Sequence, residues 1–364
     1  MKTSELLNII NQHVPFSSAE EWDNVGLLIG DKEKEVTGIL TTLDCTAEIV
    51  DEAINNNVNT IIAHHPLIFK GISNVNESGY GTIIRRIIQH DVQLIALHTN
   101  LDVYQHGVNA MLAQTLDIYN TTILEPQFTN YYKVQVFIPK ENAVDFKEKM
   151  SQAGFASEGN YEHCFFSTVG EGQFKPIGEA NPHIGNLNEI ESVSELKLEF
   201  MIQNHQRHQA EYYINELHPY ETPVYDFIPL TKQIDRGLGV IGSLKNQVTL
   251  KEFALNAKEA LNLPSVRFTG NPNSLINKVA IIGGSGIGFE KYAIHKGADV
   301  FVTGDIKHHD ALDAKTENIN LVDINHYSEY VMKEGLKHLL QEWLNQPAFK
   351  IIASDLNTDP FNYV

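Results

Sequence analysis

Two adjacent histidines are the residues of this sequence with the clearest chemical potential. His64 and His65 follow the apolar run Thr60–Ala63 and precede Pro66. An apolar run with β-branched residues is typical of a buried strand, and the proline ends it. Ligands of open α/β sheets collect where strands end, so the two imidazoles could serve two metal ions, or one ion and a supporting role. Taken alone, the pair could instead cap the strand and bond to the backbone.

Further ligand-type side chains follow two other predicted strands. His98 and Asp102 follow one strand, and His326 and Glu329 follow another. Because the carboxyl ends of parallel strands lie at one edge of a sheet, groups distant in sequence can meet there. On a helical segment, positions i and i+3 share a face, which brings His326 and Glu329 together.

Together with the histidine pair, these strand ends offer a metal-ligand set. Three histidines and two carboxylates suit Zn²⁺, Mn²⁺ or Fe²⁺, with zinc favoured. The set is too large for one tetrahedral ion with an open position, and it suits two divalent ions per chain that share a bridging carboxylate. The predicted metal ligands are His64, His65, Asp102, His326 and Glu329.

A pair of ions would give the predicted site a hydrolytic chemistry. Two divalent ions about 3.5–4 Å apart bind a bridging water, lower its pKa and orient a substrate oxygen. That chemistry suits a phosphorylated or cyclic-amide substrate, and His98 or His308 could relay protons or contact the substrate as catalytic residues. The competing interpretation is a non-catalytic metal-binding assembly that regulates or senses a ligand. Substrate turnover that is lost in His65→Ala distinguishes the first from the second.

Three other motifs are weaker candidates for functional sites. The segment His308–Asp310 begins a predicted helix and is favoured as a substrate contact or a structural feature over a primary ligand. The run Gly283–Gly288 nearly matches a dinucleotide fingerprint but lacks a clear acidic partner, which favours a tight turn or a loop against the metal edge. The segment His218–Glu221 could reach a neighbouring site, although a local turn is the simpler interpretation.

The predicted elements divide the chain into three segments. In residues 1–127 and 232–364, strands alternate with helices, which predicts one layered α/β domain with a mixed or parallel sheet formed by both chain ends. Residues 128–231 show the order β-α-β-β-α-β, which predicts an inserted ferredoxin-like α+β domain. Within the insert we expect a strand over Tyr161–Thr168 and a loop over 169–192, where glycine, asparagine and proline are frequent.

Composition limits the classes of function. The net charge of −19 repels phosphate backbones, so nucleic-acid binding is disfavoured. No apolar run approaches the roughly 18 residues of a membrane span, and the N-terminus lacks the apolar region of a signal peptide. The two cysteines, Cys45 and Cys164, indicate a reducing compartment rather than a disulfide framework. We therefore expect a cytoplasmic protein that is not bound to a membrane.

In combination, these motifs resemble the Ngg-interacting-factor homologues, which are also labelled GTP cyclohydrolase 1 type 2 homologues. The middle segment is similar to the extra domain of longer bacterial members, which has a fold like those of PII and CutA proteins. Asn325 stands where many members have glycine. The matching segments are Trp22–Leu27, Ala63–Pro66, His98–Asp102, Thr303–Asp305 with His308 and His309, His326–Glu329, and, in the insert, Gly170–Pro176 and His218–Glu221.

The resemblance implies a two-metal centre with the five ligands named above, and Glu329 as the bridging ligand. It implies a ring-shaped homohexamer whose metal sites face an internal cavity. It also implies a small nucleotide-like substrate.

Overall fold

The chain forms two compact units. The computed structural model describes residues 1–364. One unit joins Met1–Gln127 to Asp235–Val364, and the other is Phe128–Ile234. Strands β5 and β8 have residues in both units. The strands are β1 (Gly26–Ile29), β2 (Ile39–Thr42), β3 (Thr60–Ala63), β4 (Gln93–Ala96), β5 (Ile118–Pro139), β6 (Phe166–Phe174), β7 (Glu191–Gln203), β8 (Val224–Thr249), β9 (Arg267–Thr269), β10 (Leu275–Ile281), β11 (Val300–Thr303), β12 (Leu321–Asp323) and β13 (Ile351–Ala353).

The helices begin and end close to where local sequence signals place them. The Thr46 hydroxyl accepts a hydrogen bond from the Ile49 amide and caps α2, and Thr249 and Glu252 form a capping box at the start of α8. Short 3-10 segments occur as well, among them His326–Val331. The helices are α1 (Thr3–His13), α2 (Ala47–Asn55), α3 (Tyr80–Gln89), α4 (Thr99–Asp102), α5 (Val108–Thr115), α6 (Ala143–Gln152), α7 (Arg207–Leu217), α8 (Leu250–Ala260), α9 (Glu290–His295), α10 (His308–Thr316) and α11 (Met332–Leu344).

The first sheet of the larger unit is formed by both ends of the chain. Its strand order is β1-β4-β3-β2-β13. Strands β4, β3, β2 and β13 are parallel, and β1 runs antiparallel to β4. The C-terminal strand therefore pairs with an N-terminal one, and the mixed sheet predicted from the two outer segments is confirmed. The carboxyl ends of β2, β3 and β4 lie at one edge.

The larger unit has a second group of strands with its own parallel pairs. Strands β10, β11 and β12 are parallel neighbours, while β8 and β9 pair antiparallel on either side. Strands β11 and β12 consequently also end at one edge. Asp305 follows β11 by two residues, and His326 follows β12 by three.

One hydrophobic cluster ties the two groups of strands together in the larger unit. It contains Ile62 and Ile95 from the first sheet, Val302 and Val322 from the second group, and Leu336 from α11, all of them fully buried. Burial of this kind stabilises by about 1.5–3 kcal/mol per large apolar side chain. The packing holds the strand ends that carry the polar side chains in fixed positions.

The smaller unit has the element order β5-α6-β6-β7-α7-β8, and its strand order is β6-β7-β5-β8. Strand β7 pairs antiparallel with both β5 and β6. The two helices cover an apolar core that includes Phe146, Met150 and Ile214. The unit is thus an α+β arrangement of four strands and two helices.

Two expectations for this unit are wrong. The strand expected over Tyr161–Thr168 lies instead at Phe166–Phe174, and the loop expected over 169–192 includes most of that strand and the start of β7. Two glycines in the segment favour a turn by local propensity. Antiparallel pairing of Phe166–Phe174 with Glu191–Glu199 overrides that propensity, because the inter-strand hydrogen bonds join backbone groups, which glycine also has.

The described helices include none with the length and apolar character that a bilayer crossing requires.

Candidate metal centre

Side chains from three strand ends meet in the larger unit. His64 and His65 follow β3, Asp102 lies in α4 after β4, and His326 and Glu329 lie in the 3-10 segment after β12. With His98, they form three groups, and within each group the candidate ligand atoms, imidazole nitrogens and carboxylate oxygens, lie within 4.8 Å of one another. The groups are His64 with His65 and His98, His65 with His326 and Glu329, and His64 with Asp102 and Glu329.

His64 is fully buried and turns one ring nitrogen toward the carboxylates. Its Nδ1 donates to the Leu97 carbonyl oxygen at 2.8 Å, which leaves the lone pair of Nε2 free. That Nε2 lies 3.6 Å from Asp102 Oδ1 and 3.9 Å from Glu329 Oε2. Burial lowers the pKa of His64 to about 3, so the ring is neutral. A neutral imidazole with a free Nε2 is the form that ligates a metal ion.

Glu329 is the carboxylate at which the histidines converge. Its Oε2 lies 3.3 Å from His65 Nε2 and 3.4 Å from His326 Nε2. Burial alone would raise the pKa of Glu329, but the hydrogen bond from His65 and the nearby imidazoles hold it below its usual value. Glu329 is therefore a buried carboxylate anion that belongs to two of the three groups.

Asp102 is partly buried beside Glu329, and one of its carboxylate oxygens lacks a hydrogen-bond partner. Neither Asp102 Oδ1 nor His64 Nε2 has a hydrogen-bond partner, although both are inaccessible to solvent. Burial, together with the charge of Glu329, raises the pKa of Asp102 well above its usual value. Unpaired buried polar atoms are costly, and an ion between them would satisfy both. The residues present therefore fit a divalent metal ion.

Carboxylates behind the rings hold two of the histidines. Asp44 Oδ1 accepts from His65 Nδ1 at 2.7 Å, and Asp305 Oδ2 accepts from His326 Nδ1 at 2.7 Å. Burial alone would lower the pKa of His65, but the hydrogen bonds to Asp44 and Glu329 raise it to about 10. A carboxylate on the far nitrogen fixes the ring and its tautomer, which is a common arrangement behind metal-binding histidines.

Sequence reasoning did not assign these supporting roles to Asp44 and Asp305. Both follow parallel strands that end at the same edges as the predicted ligands, Asp44 after β2 and Asp305 after β11. Their position two residues beyond a strand end was the available signal. The pairing with a particular histidine depends on strands distant in sequence, so spacing alone could not specify it.

His98 lies against the histidine pair. Its ring centre is 5.2 Å from that of His64 and 5.7 Å from that of His65. Its Nδ1 donates to Asp23 Oδ1 at 2.9 Å, and Asp23 also accepts from the Thr99 amide. Although burial opposes it, these hydrogen bonds from His98 and Thr99 hold the pKa of Asp23 well below its usual value. The Trp22–Leu27 motif thus supplies the residue that orients His98.

His308 does not join the cluster. It begins α10, its ring contacts that of His309, and it belongs to none of the three metal-type groups. It lines a separate cavity of about 300 Å³ together with Arg267 and Asp323. These two residues also line the cavity beside His326, so the two cavities are neighbours.

The glycine run lies against the cluster as a loop. A Cβ atom at Gly283 or Gly284 would lie 2.9 Å from Glu329 Oε1, so only glycine leaves room for that carboxylate. Gly284 also has a φ of +57°, which glycine adopts without strain. Of the two interpretations left open, the structure therefore favours the loop against the metal edge. Asn325 has a φ of +62°, which explains why glycine would suit that position.

A cavity of about 480 Å³ opens beside His65 and His326. Arg267 lines it, paired with Asp323. The C-terminal segment forms another part of the lining with Phe361 and Tyr363. Thr358 anchors this segment by donating to Asp44 Oδ2 at 2.6 Å. The cavity thus combines imidazoles, aspartate carboxylates, one guanidinium group and aromatic rings.

Comparisons with known proteins agree over the whole chain. A sequence model of the Duf34/NIF3 (NGG1p interacting factor 3) family matches residues 1–360. A Staphylococcus aureus (strain COL) protein named GTP cyclohydrolase 1 type 2 homolog is 58% identical over 366 residues, which cover 100% of both chains. A Staphylococcus epidermidis protein of the same name is 60% identical over 365 residues, again covering 100% of both.

Solved structures show the same architecture. The crystal structure of a Staphylococcus aureus protein has a TM-score of 0.89 at 54% identity and covers 100% of this chain and 99% of that chain. The crystal structure of a Bacillus cereus protein related to NIF3 has a TM-score of 0.75 at 38% identity with the same coverage.

Proposed function

The chain belongs to the Duf34/NIF3 family, and from that premise we propose that it is a dinuclear-metal hydrolase of a nucleotide-like small molecule. One observation carries the proposal. Buried His64 Nε2 and Asp102 Oδ1 face each other without hydrogen-bond partners, beside a carboxylate that two further imidazoles approach. If these histidines and carboxylates only bonded to one another, the two buried atoms would have hydrogen-bond partners.

The proposed ligands are His64, His65, Asp102, His326 and Glu329. Glu329 is the proposed bridge because it belongs both to the group with His65 and His326 and to the group with His64 and Asp102. The proposed centre holds two ions per chain. Zinc is the favoured metal, with manganese or iron as alternatives, because histidine and carboxylate ligands accept all three. Bound as a pair, they would lower the pKa of a water and orient a substrate oxygen.

Other side chains of the centre would handle the substrate. Arg267 is placed to bind an anionic group such as phosphate, because it lines the cavity beside His326. Phe361 and Tyr363 offer rings against which a planar base can stack. His98 is the proposed proton relay, held in one tautomer by Asp23. From its position in the neighbouring cavity, His308 is proposed to contact the far end of the substrate.

The wider proposal concerns domains and assembly. Residues 128–231 are proposed to be an inserted domain of the ferredoxin-like, PII- or CutA-like class, between α/β segments 1–127 and 232–364. Support comes from the β-α-β-β-α-β order and the central position of β7 and β5 in the strand order. A homohexamer is proposed from the family resemblance. A cytoplasmic location is proposed because the two cysteines are free, as is usual in a reducing compartment. Light scattering on the purified protein tests the hexamer.

The decisive experiment combines metal analysis with turnover. We expect about two ions per chain, and release of product from GTP or another nucleotide by the metal-loaded protein. His65→Ala should abolish turnover with the assembly intact, whereas His338→Ala, at an exposed position, should leave it unchanged. Fewer than one ion per chain would contradict the dinuclear centre. Two ions without turnover of any nucleotide would contradict the hydrolase and favour the regulatory alternative.

A further inference from the structure

The smaller unit contains a cavity of its own, which we call the Tyr220 cavity. Its volume is about 250 Å³, just below the roughly 300–1,000 Å³ of typical ligand pockets. That volume suits a molecule with a single ring. No group of metal-type side chains occurs in this unit, so a metal ion is not the favoured occupant. The lining includes Phe174, Pro182, His183, Glu195, Tyr220 and Glu221.

A buried carboxylate faces this cavity. Glu195 lies on β7 and is only 9% exposed. Its Oε1 accepts a hydrogen bond from the Tyr220 hydroxyl at 2.9 Å, and no lysine, arginine or histidine forms an ion pair with it. Burying a carboxylate without a cationic partner is costly. A positively charged ligand would supply the missing partner.

The space around the carboxylate is kept open by the backbone. Gly172 on β6 lies beside Glu195, and a Cβ atom there would lie 2.3 Å from Glu195 Oε2. Any larger residue at this position would push the carboxylate aside. The glycine that suggested a loop in the sequence therefore has a steric role at this cavity.

Aromatic rings form the walls. The ring of Tyr220 lies 5.7 Å from that of Phe174 in an edge-to-face arrangement and 6.3 Å from that of His183. Aromatic faces attract organic cations, and they also stack on planar rings. A carboxylate beside such faces is suited to a ligand with a cationic group on an aromatic body.

The turn that carries Tyr220 is held rigidly. His218 Nε2 donates to the Phe137 carbonyl oxygen at 2.8 Å, and His218 Nδ1 accepts from the Tyr220 amide at 3.1 Å. Both ring nitrogens are satisfied within the unit, so His218 positions the turn rather than binding a ligand. Glu221 is also engaged, because it accepts from the Asn181 amide at 3.0 Å.

We propose that the Tyr220 cavity binds a small organic cation, namely a primary ammonium group carried on a single aromatic ring. The ammonium group pairs with Glu195, and the ring lies between Phe174, Tyr220 and His183. Lys175 also lines the cavity but forms no ion pair with Glu195 or Glu221, whose carboxylates accept hydrogen bonds from Tyr220 and Asn181 instead. The site is separate from the proposed metal centre and does not depend on it.

Calorimetric titration of the full-length protein tests the site. The probes are benzylamine, phenethylamine and tyramine, with benzyl alcohol as the neutral counterpart of benzylamine. We expect saturable binding of at least one amine at a dissociation constant below about 1 mM, and binding of the alcohol that is about tenfold weaker or absent. Failure of all three amines to bind, or equal binding of benzylamine and benzyl alcohol, would overturn the proposal.

Variants assign the binding to the cavity. Glu195→Gln keeps the shape and removes the charge, and it should weaken amine binding about tenfold or more. Glu171→Gln is the matched control and should change the affinity little, because Glu171 is exposed on β6 and does not line the cavity. Equal affinities of the wild type and Glu195→Gln would overturn the assignment. Gly172→Ala is a second variant: its methyl group would displace the Glu195 carboxylate, so amine binding should weaken, with circular dichroism showing that the protein remains folded.

Discussion

The histidines of the larger unit and His218 of the smaller unit differ in how their nitrogens are used. At the candidate metal centre, His64, His65 and His326 each have Nδ1 held by an acceptor behind the ring, and their Nε2 atoms converge. His64 Nε2 has no partner at all. In His218, by contrast, both nitrogens bond to the backbone. A buried histidine with an unpaired nitrogen indicates a ligand site, whereas one with both nitrogens satisfied indicates a structural role.

The buried carboxylates differ in the same way. Glu329 is approached by imidazoles from two sides, and Asp102 lies next to it. Glu195 has a tyrosine hydroxyl and aromatic neighbours but no imidazole within bonding distance. Imidazole nitrogens favour first-row metal ions, while aromatic faces favour organic cations. The surroundings of a buried carboxylate, rather than its burial, thus indicate which cation it receives.

The largest expected effect tests whether the two regions are independent. Phe146 is 1% exposed in the core of the smaller unit, so Phe146→Ala should destabilise that unit by about 3–5 kcal/mol. Metal content should stay unchanged. Hydrogen exchange resolved by segment measures the first effect, and metal analysis the second. Val144→Ala on the same helix is the control, because Val144 is exposed. Loss of metal in Phe146→Ala would contradict independence.

A substitution at the centre of the metal cluster comes next. Glu329→Gln removes the charge shared by two of the three ligand groups, so metal affinity should fall by at least about 100-fold. The metal content of each variant is measured after dialysis against a chelator. Glu195→Gln removes the charge of a buried carboxylate in the smaller unit and should leave metal content at the wild-type value. Equal losses in both variants would show that the contrast between the two carboxylates is wrong.

The carboxylates behind the histidines should have a smaller effect. Asp44→Asn keeps an acceptor for His65 Nδ1 but removes its charge, and metal affinity should fall by about 10- to 100-fold. Competition with a chromophoric chelator measures the affinity. Asp313→Asn on the exposed face of α10 is the control and should bind metal as the wild type does. Unchanged affinity in Asp44→Asn would mean that Asp44 does not support a ligand.

The smallest effect concerns pH and His218. Burial lowers the pKa of His218, so the unfolded state binds more protons as the pH falls below about 6.5. The stabilising contribution of the neutral ring is complete above that pH and is lost progressively as the pH falls through the lower pKa of the folded state. The smaller unit should therefore exchange amide hydrogens faster at about pH 5 than at about pH 7, after correction for intrinsic rates. His218→Gln should reduce this pH dependence, and an identical dependence in both proteins would contradict the role of His218.

Local sequence determined much of the fold and which residue types could act. Apolar runs that end in polar residues predicted β3, β4 and β12, and caps such as Thr46 fix helix starts, because these features depend on near neighbours. The convergence of the five proposed ligands followed from one rule, that parallel strands end at a common edge.

The tertiary structure decided what near neighbours cannot. Pairing with β7 makes Phe166–Phe174 a strand despite its glycines, and the same pairing places Gly172 against Glu195. Asp44 and Asp305 face particular histidines, and His308 lies in a neighbouring cavity, because packing between distant segments sets those directions. Sequence patterns specify which side chains stand at the end of a strand. The partner of each polar atom depends on contacts across hundreds of residues, and these exist only once the chain is folded.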